Sequence, residues 1–407
     1  MRSFDEALAH LLADARPVGE IEIVSTLATA GRVLAQAQHA TLAAPPLDNS
    51  AMDGYAVRVA DLAAIGSSLP VVQRIPAGTV GTPLLPGTAA RIFTGAPIPL
   101  GADAVVMQEL CAHGGASESG EPLVVVNHRP KLGENIRRAG DDIVAGSCIL
   151  AAGQRLRAQD TALAASVGMA RLPVWRRLRV AVFFTGDELC MPGEPLPVGG
   201  IYNSNRFLLI ALLERLGCAV HDLGQVADDL AATRAALRQA AQESDLILTS
   251  GGVSVGDEDY VKAAAEAEGR LDLWKIAIKP GKPLAFGQIK TAEREVAFIG
   301  LPGNPVSGFV TFLMLVRPFI LRLQGVQQVA PAAYALRADF EWLRPDARRE
   351  FLRARLNASG GLDLFPKQGA GVLTSAAWAD GLVDTLPQQA IRRGDLVRFL
   401  PFSELLN

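Results

Sequence analysis

Between residues 179 and 325 the apolar positions switch repeatedly between two spacings. RVAVFFTG is apolar almost without a break, as a strand buried on both faces is, whereas SNRFLLIALLERLG spaces its apolar residues at helical intervals until Gly217 closes it. AVHDLGQV reads as the next strand, DLAATRAALRQAAQES as a helix and DLILTSGG as another buried strand. Strands alternating with helices predict a parallel-rich sheet covered on both faces. LDLWKIAIK, PLAFGQI and REVAFIG follow as strands, and PVSGFVTFLMLVRPFILRLQG as one long buried helix.

The flanks have a different grain. MRSFDEALAHLLADAR carries Ser3 and Glu6 at capping-box spacing and predicts an amphipathic helix. Ala-Pro-Pro at 44–46 stops regular structure. From there to about 140, short β segments such as YAVRVA, ARIFTG, DAVVMQ and LVVV are separated by glycine and proline, which predicts a compact β domain. GGASESGE at 114–121 reads as a solvated hairpin tip. After the proline-rich QVAPAAYAL, residues 331–407 alternate strands and turns in the manner of a small β-barrel. The fold class is therefore multidomain α/β plus β.

Composition narrows the function. With 407 residues, 49% hydrophobic and 20% charged, the chain can bury several cores; its net charge of -3 draws it to neither nucleic acid nor anionic lipid, so any anion site must be local. The apolar FVTFLMLV stops at Arg317, short of a membrane span, and the acids near the N-terminus argue against a signal peptide. The four cysteines form no CxxC or Cys/His pairing and the five histidines share no metal spacing, so structural zinc and a disulfide framework are not expected, and a cytoplasmic location fits.

Candidate chemistry collects at predicted strand ends, where open parallel sheets bind ligands. LTSGGVSVGDEDY offers Gly251 and Gly252 for a sharp turn that aims N–H groups at an anion, with Thr249, Ser250 and Ser254 as further donors. Yet Asp257, Glu258 and Asp259 follow at once, and acids repel a phosphate. Magnesium between them reconciles the charges, since it takes one or two carboxylates plus phosphate oxygens. Asp187 and Glu188 in TGDEL, Asp228 and Asp259 could converge on it, or simply cap helices. Lys279 and Lys282 bracket a Pro-Gly bend, with Lys275 nearby, an arrangement suited to a small oxyanion or merely a basic surface. In GLPGNPVSGFV a helix starting at Pro305 or Val306, beside Ser307, could hold another anion or end a plain turn. Asp48, Asn49, Ser50, Asp53, and Thr94 near Pro97, read as loops; Arg137, Arg138, Asp141 and Asp142 read as a surface salt-bridge cluster.

DNSAMDGYAV, TGDEL, TSGGVSVGDEDYV, KPGKP and GLPGNPVS, present in that order, resemble the molybdopterin molybdenumtransferase family of MoeA and the gephyrin E domain. The resemblance implies magnesium-dependent insertion of molybdate into adenylyl-molybdopterin with loss of AMP. It implies an elongated homodimer of four-domain subunits: a linker domain of 1–45 with 145–178, a β domain of 46–144, a MogA-like α/β domain of 179–328 and a C-terminal β-barrel domain of 329–407. It gives Lys279, Lys282, Ser307, Arg353 and Ser375 to molybdate, Glu188, Asp228 and Asp259 to the metal or phosphate side, and Lys275, Pro302 and Pro305 to the shape of the cleft. Asp53, Thr94 and Asp142 would line the cleft from the dimer partner, and transient contacts with a molybdopterin adenylyltransferase and acceptor molybdoenzymes are implied. GDDI at 140–143 stands where the family has GEDI, with the charge kept. An assembly module and an adenylylating transferase are the alternatives; no GxGxxG follows a strand, which disfavours a nicotinamide enzyme.

Overall fold

A computed structural model of the chain describes residues 1–13, 15–252, 260–281 and 283–406. Its central sheet runs, edge to edge, Ala219–Val226, Arg179–Thr185, Leu246–Ser250, Glu295–Leu301, Pro283–Lys290, Gly269–Lys275. The first four strands are mutually parallel, and Pro283–Lys290 pairs antiparallel with both of its neighbours, Glu295–Leu301 and Gly269–Lys275. The parallel-rich sheet thus ends in antiparallel strands, because segments as short as 291–294 cannot hold a crossover.

Alternation along each strand sorts the core into two layers. Val180, Val182 and Phe184 face Leu209, Leu213 and the buried run from Val306, while Ala181 and Phe183 face Leu237, Ala240, Val261 and Ala264. Fully burying a side chain such as Phe184 stabilises by roughly 1.5–3 kcal/mol, so both helical layers are held firmly. The long helix predicted from 305 is observed, with a wider π turn at Phe312–Val316 between Pro305–Thr311 and Arg317–Leu323. Pro318 lacks an N–H and crowds the carbonyl one turn back, which accounts for the widening. Among the described residues, Pro305–Leu323 is the helix long and apolar enough to cross a membrane, and 94% of its apolar window is buried. Arg317, where the apolar run was expected to end, is itself buried and donates to the carbonyls of Val329 and Glu404.

The N-terminal helix Phe4–Ala13 begins with the expected capping box, Ser3 N–H to Glu6 Oε2 and Glu6 N–H to Ser3 Oγ, and buries Phe4, Ala7 and Leu11 at helical spacing. Ile21–Ser25 pairs with Arg171–Trp175, and Gln38–His39 with Cys148–Leu150, so the segments before and after the β region fold against each other. That region is a six-stranded sheet whose central strands are Ala89–Ile92 and Ser67–Ile75. At Gly54 a Cβ would lie 1.9 Å from Val106 O, so only glycine fits.

LDLWKIAIK, read as one strand, is divided. Gly269–Lys275 stays in the central sheet, whereas Ile278–Lys279 pairs with Arg349–Leu356 of the C-terminal sheet. The break comes where Arg2 bonds to both Lys275 O and Ala277 N–H. The C-terminal strands run Ile278–Lys279, Arg349–Leu356, Gly381–Thr385, Leu396–Pro401, Tyr334–Arg337, with Leu362–Leu364 also on Arg349–Leu356 and a single bridge joining Ala338 to Leu362.

Candidate active-site cleft

A cleft of about 820 Å³ opens at the carboxyl ends of Arg179–Thr185, Leu246–Ser250 and Glu295–Leu301. Ser250 and Asn205 form its hinge of polar contacts. Asn205 Nδ2 donates to Ser250 Oγ at 2.8 Å and to Gly303 O at 2.7 Å, and Ser250 Oγ donates to Pro302 O, so two strand ends and a helix start are tied together. Asn203 caps the helix Ser204–Arg215 through its Oδ1 and is 2% exposed. Its Nδ2, like Thr185 Oγ1, has no hydrogen-bond partner among the described residues. Both residues line the cleft, whose wall therefore carries buried polar groups that a bound molecule can satisfy.

Gly251 and Gly252 line the cleft with φ of 98° and 62°, in the left-handed region glycine favours. A Cβ at Gly251 would stand 2.7 Å from Thr185 O. Thr249 does not share their position. It is wholly buried and follows Ile247 onto the opposite face of the strand from Ser250, because neighbouring strand residues point to opposite sides. The expectation that Thr249 donates to a ligand is corrected accordingly. Ser254, Asp257, Glu258 and Asp259 lie outside the described residues, as does Lys282.

Of the expected metal-side acids, Glu188 lines the cleft and Asp228 stands on the neighbouring loop, its Oδ2 accepting from Asp187 N–H at 3.2 Å. Helix capping falls to a different residue: Asp229 accepts from Ala232 N–H at the start of Leu230–Glu243. Glu188 and Asp228 thus occupy adjoining strand-end loops, and among the described residues no cluster of three metal-ligating side chains forms.

On the far wall are Pro302, Gly303, Asn304, Pro305 and Ser307, and beside them Gly281, the glycine of the Lys-Pro-Gly-Lys bend. The expected anion site at the helix start is diminished, since Val306 N–H is bonded to Ala370 O and Pro305 has no N–H. Lys279 pairs with Glu350 at 3.0 Å and Asp346 at 3.4 Å. Lys275, expected to shape the cleft, is exposed at the end of its strand and is not part of the lining. Arg353 and Ser375 are not part of the lining: both are fully buried, with Arg353 Nε donating to Ser375 Oγ at 3.1 Å. Burial pulls the Arg353 pKa down to about 10, and its Nη2 lacks a partner among the described residues. The neighbouring Thr374 is exposed and makes no such bond, so Ser375 is the serine joined to the arginine.

Asp53, Thr94 and Asp142 do not line the cleft of their own chain. Asp53 Oδ1 accepts from both the N–H and Oγ of Thr94 at 2.7 Å, which holds its carboxyl below the usual range. Asp142 is exposed, with its N–H on Ala44 O. In the expected salt-bridge cluster, Arg138 pairs with Asp48 at 2.6 Å and its N–H bonds Asp141. Sequence reasoning missed Asn203, Asn205 and Glu350. The helix-capping position of Asn203 was a readable signal; nothing local marked the other two.

The chain matches three family models in succession. Residues 2–168 match the MoeA N-terminal region (domain I and II), 181–322 a probable molybdopterin binding domain, and 335–402 the MoeA C-terminal region (domain IV). It is 39% identical to molybdopterin molybdenumtransferase of Haemophilus influenzae over 100% of both chains, and 36% identical to molybdopterin molybdenumtransferase 2 of Mycobacterium tuberculosis over 96% of each. The solved molybdopterin biosynthesis moeA protein from Pyrococcus horikoshii OT3 superposes with a TM-score of 0.84 at 28% identity, covering 98% of this chain and 100% of that one. With sequence and architecture matched from end to end, the chain belongs to the MoeA family of molybdopterin molybdenumtransferases.

Proposed function

We propose that the cleft binds adenylyl-molybdopterin and molybdate together and inserts the metal with magnesium-dependent release of AMP. The coarser activity follows from the family: the chain is a transferase of molybdenum cofactor biosynthesis. One observation carries the finer reading. Gly281 of the lysine bend, Glu188 of the acid loop and the Ser250–Gly252 turn line a single cleft, so the backbone of the lysine bend and the acid loop border one space.

Molybdate is the substrate oxyanion, given to Lys279, Lys282 and Ser307, with the buried Arg353–Ser375 pair lending positive charge. The phosphates fall to Ser250, Gly251 and Gly252, whose turn presents N–H groups, and Pro302 and Pro305 shape the wall opposite. Glu188 and Asp228 are hard oxygen donors on adjoining loops, and with Asp259 they suit magnesium, which needs only one or two carboxylates beside phosphate oxygens. Bound there, magnesium supplies charge neutralisation for the diphosphate and the departing AMP. Positioning does most of the work, and no side-chain nucleophile is required. The cysteines are consistent with this: burial pushes Cys218 up to about 12, far from a reactive thiolate.

The pre-bonded Asp53–Thr94 pair and the exposed Asp142 would complete the cleft of a partner subunit, which makes a homodimer the working form. The enzyme would act in the cytoplasm, taking its intermediate from an adenylyltransferase and passing its product to molybdoenzymes.

The test is to incubate the protein with adenylyl-molybdopterin, molybdate and Mg²⁺, measuring AMP release and reconstitution of an apo-molybdoenzyme. Both should require molybdate and Mg²⁺, and Lys279→Ala should lower turnover about a hundredfold with the fold retained. AMP release indifferent to molybdate would replace insertion with simple pyrophosphate-bond hydrolysis.

A further inference from the structure

The two-residue strand Ile278–Lys279 runs parallel to Arg349–Leu356 with Lys279 in register with Glu350. Glu350 has no exposed surface. A carboxylate taken out of water persists only where partners offset its lost hydration, and here the two oxygens are partnered differently. Oε2 accepts from Trp342 Nε1 at 2.8 Å and from Asp346 N–H at 2.9 Å. Among the described residues Oε1 meets only the Lys279 ammonium, at 3.0 Å. Asp346 Oδ2 is 3.4 Å from the same ammonium, but its charge is already shared with Arg348, which bonds both its oxygens. Glu350 is therefore the principal counter-charge of Lys279.

This division is informative. The fold uses one oxygen of Glu350, and a neutral amide oxygen would serve Trp342 and Asp346 equally well. Among the described residues Lys279 is the cation in contact with the second oxygen, while the negative charge also acts on Arg348 and on the buried Arg353. Both contacts are ion pairs, and the Lys279 side chain keeps 35% of its surface open, so the paired ammonium still faces solvent on one side.

We infer that Glu350 is a positioning residue for oxyanion capture, holding the Lys279 ammonium in place so that its open side is presented at the Lys-Pro-Gly-Lys bend. The inference rests on the assignment of Lys279 to molybdate. Glu350→Gln in the full-length chain tests it, with molybdate affinity read by equilibrium dialysis and turnover read at saturating molybdate. The amide keeps the bonds from Trp342 and Asp346 but turns an NH₂ toward Lys279. Molybdate affinity should fall about tenfold, turnover at saturation should stay within about twofold, and in a Lys279→Ala background the change should add nothing further. An unchanged affinity, or an equal loss in both backgrounds, overturns the positioning role. Should Glu350→Gln not fold, Asp346→Asn is read in the same way: a smaller loss, absent in the Lys279→Ala background, supports the role, and no loss refutes it. If Lys279→Ala alone leaves molybdate affinity intact, the lysine assignment itself fails; if Lys279→Ala weakens it and Glu350→Gln does not, only the present inference falls.

Discussion

Asp245 is a single side chain that ties together the starts of the strands whose far ends form the cleft. Its carboxylate is 5% exposed and joins Arg176, Arg179 and Arg294. Burial pushes its pKa up, but the hydrogen bonds from Arg176 and Arg179 outweigh that and bring it from 3.8 to about 2. A pKa lower in the folded state means stability present above the unfolded value and lost as pH falls through the folded one, here between about 4 and 2 and worth about 2 kcal/mol. Asp245→Asn should thus destabilise by about 2 kcal/mol or more at pH 7, since three arginines lose their counter-ion, and the gap to the parent should close as pH approaches 2. Urea unfolding across that range checks it; a pH-independent gap would place the effect in packing instead. At this same scale the sequence was only half legible. Ser250 and Thr249 look interchangeable as donors, yet strand alternation sends one to the cleft and the other to the core, and which face receives the ligand depends on the helices covering the sheet.

Elements explain what was legible and what was not. The central strands and helices could be read because their apolar spacing changes at each turn signal, and the capping box at Ser3 and Glu6 located the first helix without tertiary information. The division of LDLWKIAIK could not be read: a chain that passes from one sheet to another leaves its apolar pattern intact, and the partner strand Arg349–Leu356 is remote in sequence. For the same reason Glu350 gave no sign of its pairing with Lys279. The turn after Leu246–Ser250 bears the sharpest prediction at this level. Gly251→Ala forces a side chain into the left-handed region and within 2.7 Å of Thr185 O, so the turn must move. The backbone term alone is about 1–2 kcal/mol, small against the whole domain. Melting should therefore drop only a few degrees while substrate turnover falls by an order of magnitude or more, a split that calorimetry and the AMP assay would reveal together.

For the whole molecule the decisive matter is that Asp53, Thr94 and Asp142 stand away from their own cleft. If each site of a homodimer is built from the α/β and C-terminal domains of one subunit and the β domain of the other, two inactive variants can repair each other. A refolded mixture of Asp53→Asn and Lys279→Ala chains gives mixed dimers with one intact site and one doubly altered site. Statistical pairing then predicts roughly a quarter of parental activity from two nearly dead preparations. Activity no higher than the mean of the two parents would mean each chain works alone.

The buried helix Pro305–Leu323 has a consequence for how the polypeptide is made. Part of its cover comes from residues 402–404, where Phe402 packs against Phe309 and the carbonyl of Glu404 receives Arg317. Until residues 402–404 leave the ribosome, the nascent chain displays a greasy rod that resembles a membrane anchor to any targeting factor or holdase. A stop codon before Phe402 therefore leaves that rod with an unhealed seam, and such products are expected to be cleared by quality-control proteases rather than to accumulate as truncated enzyme.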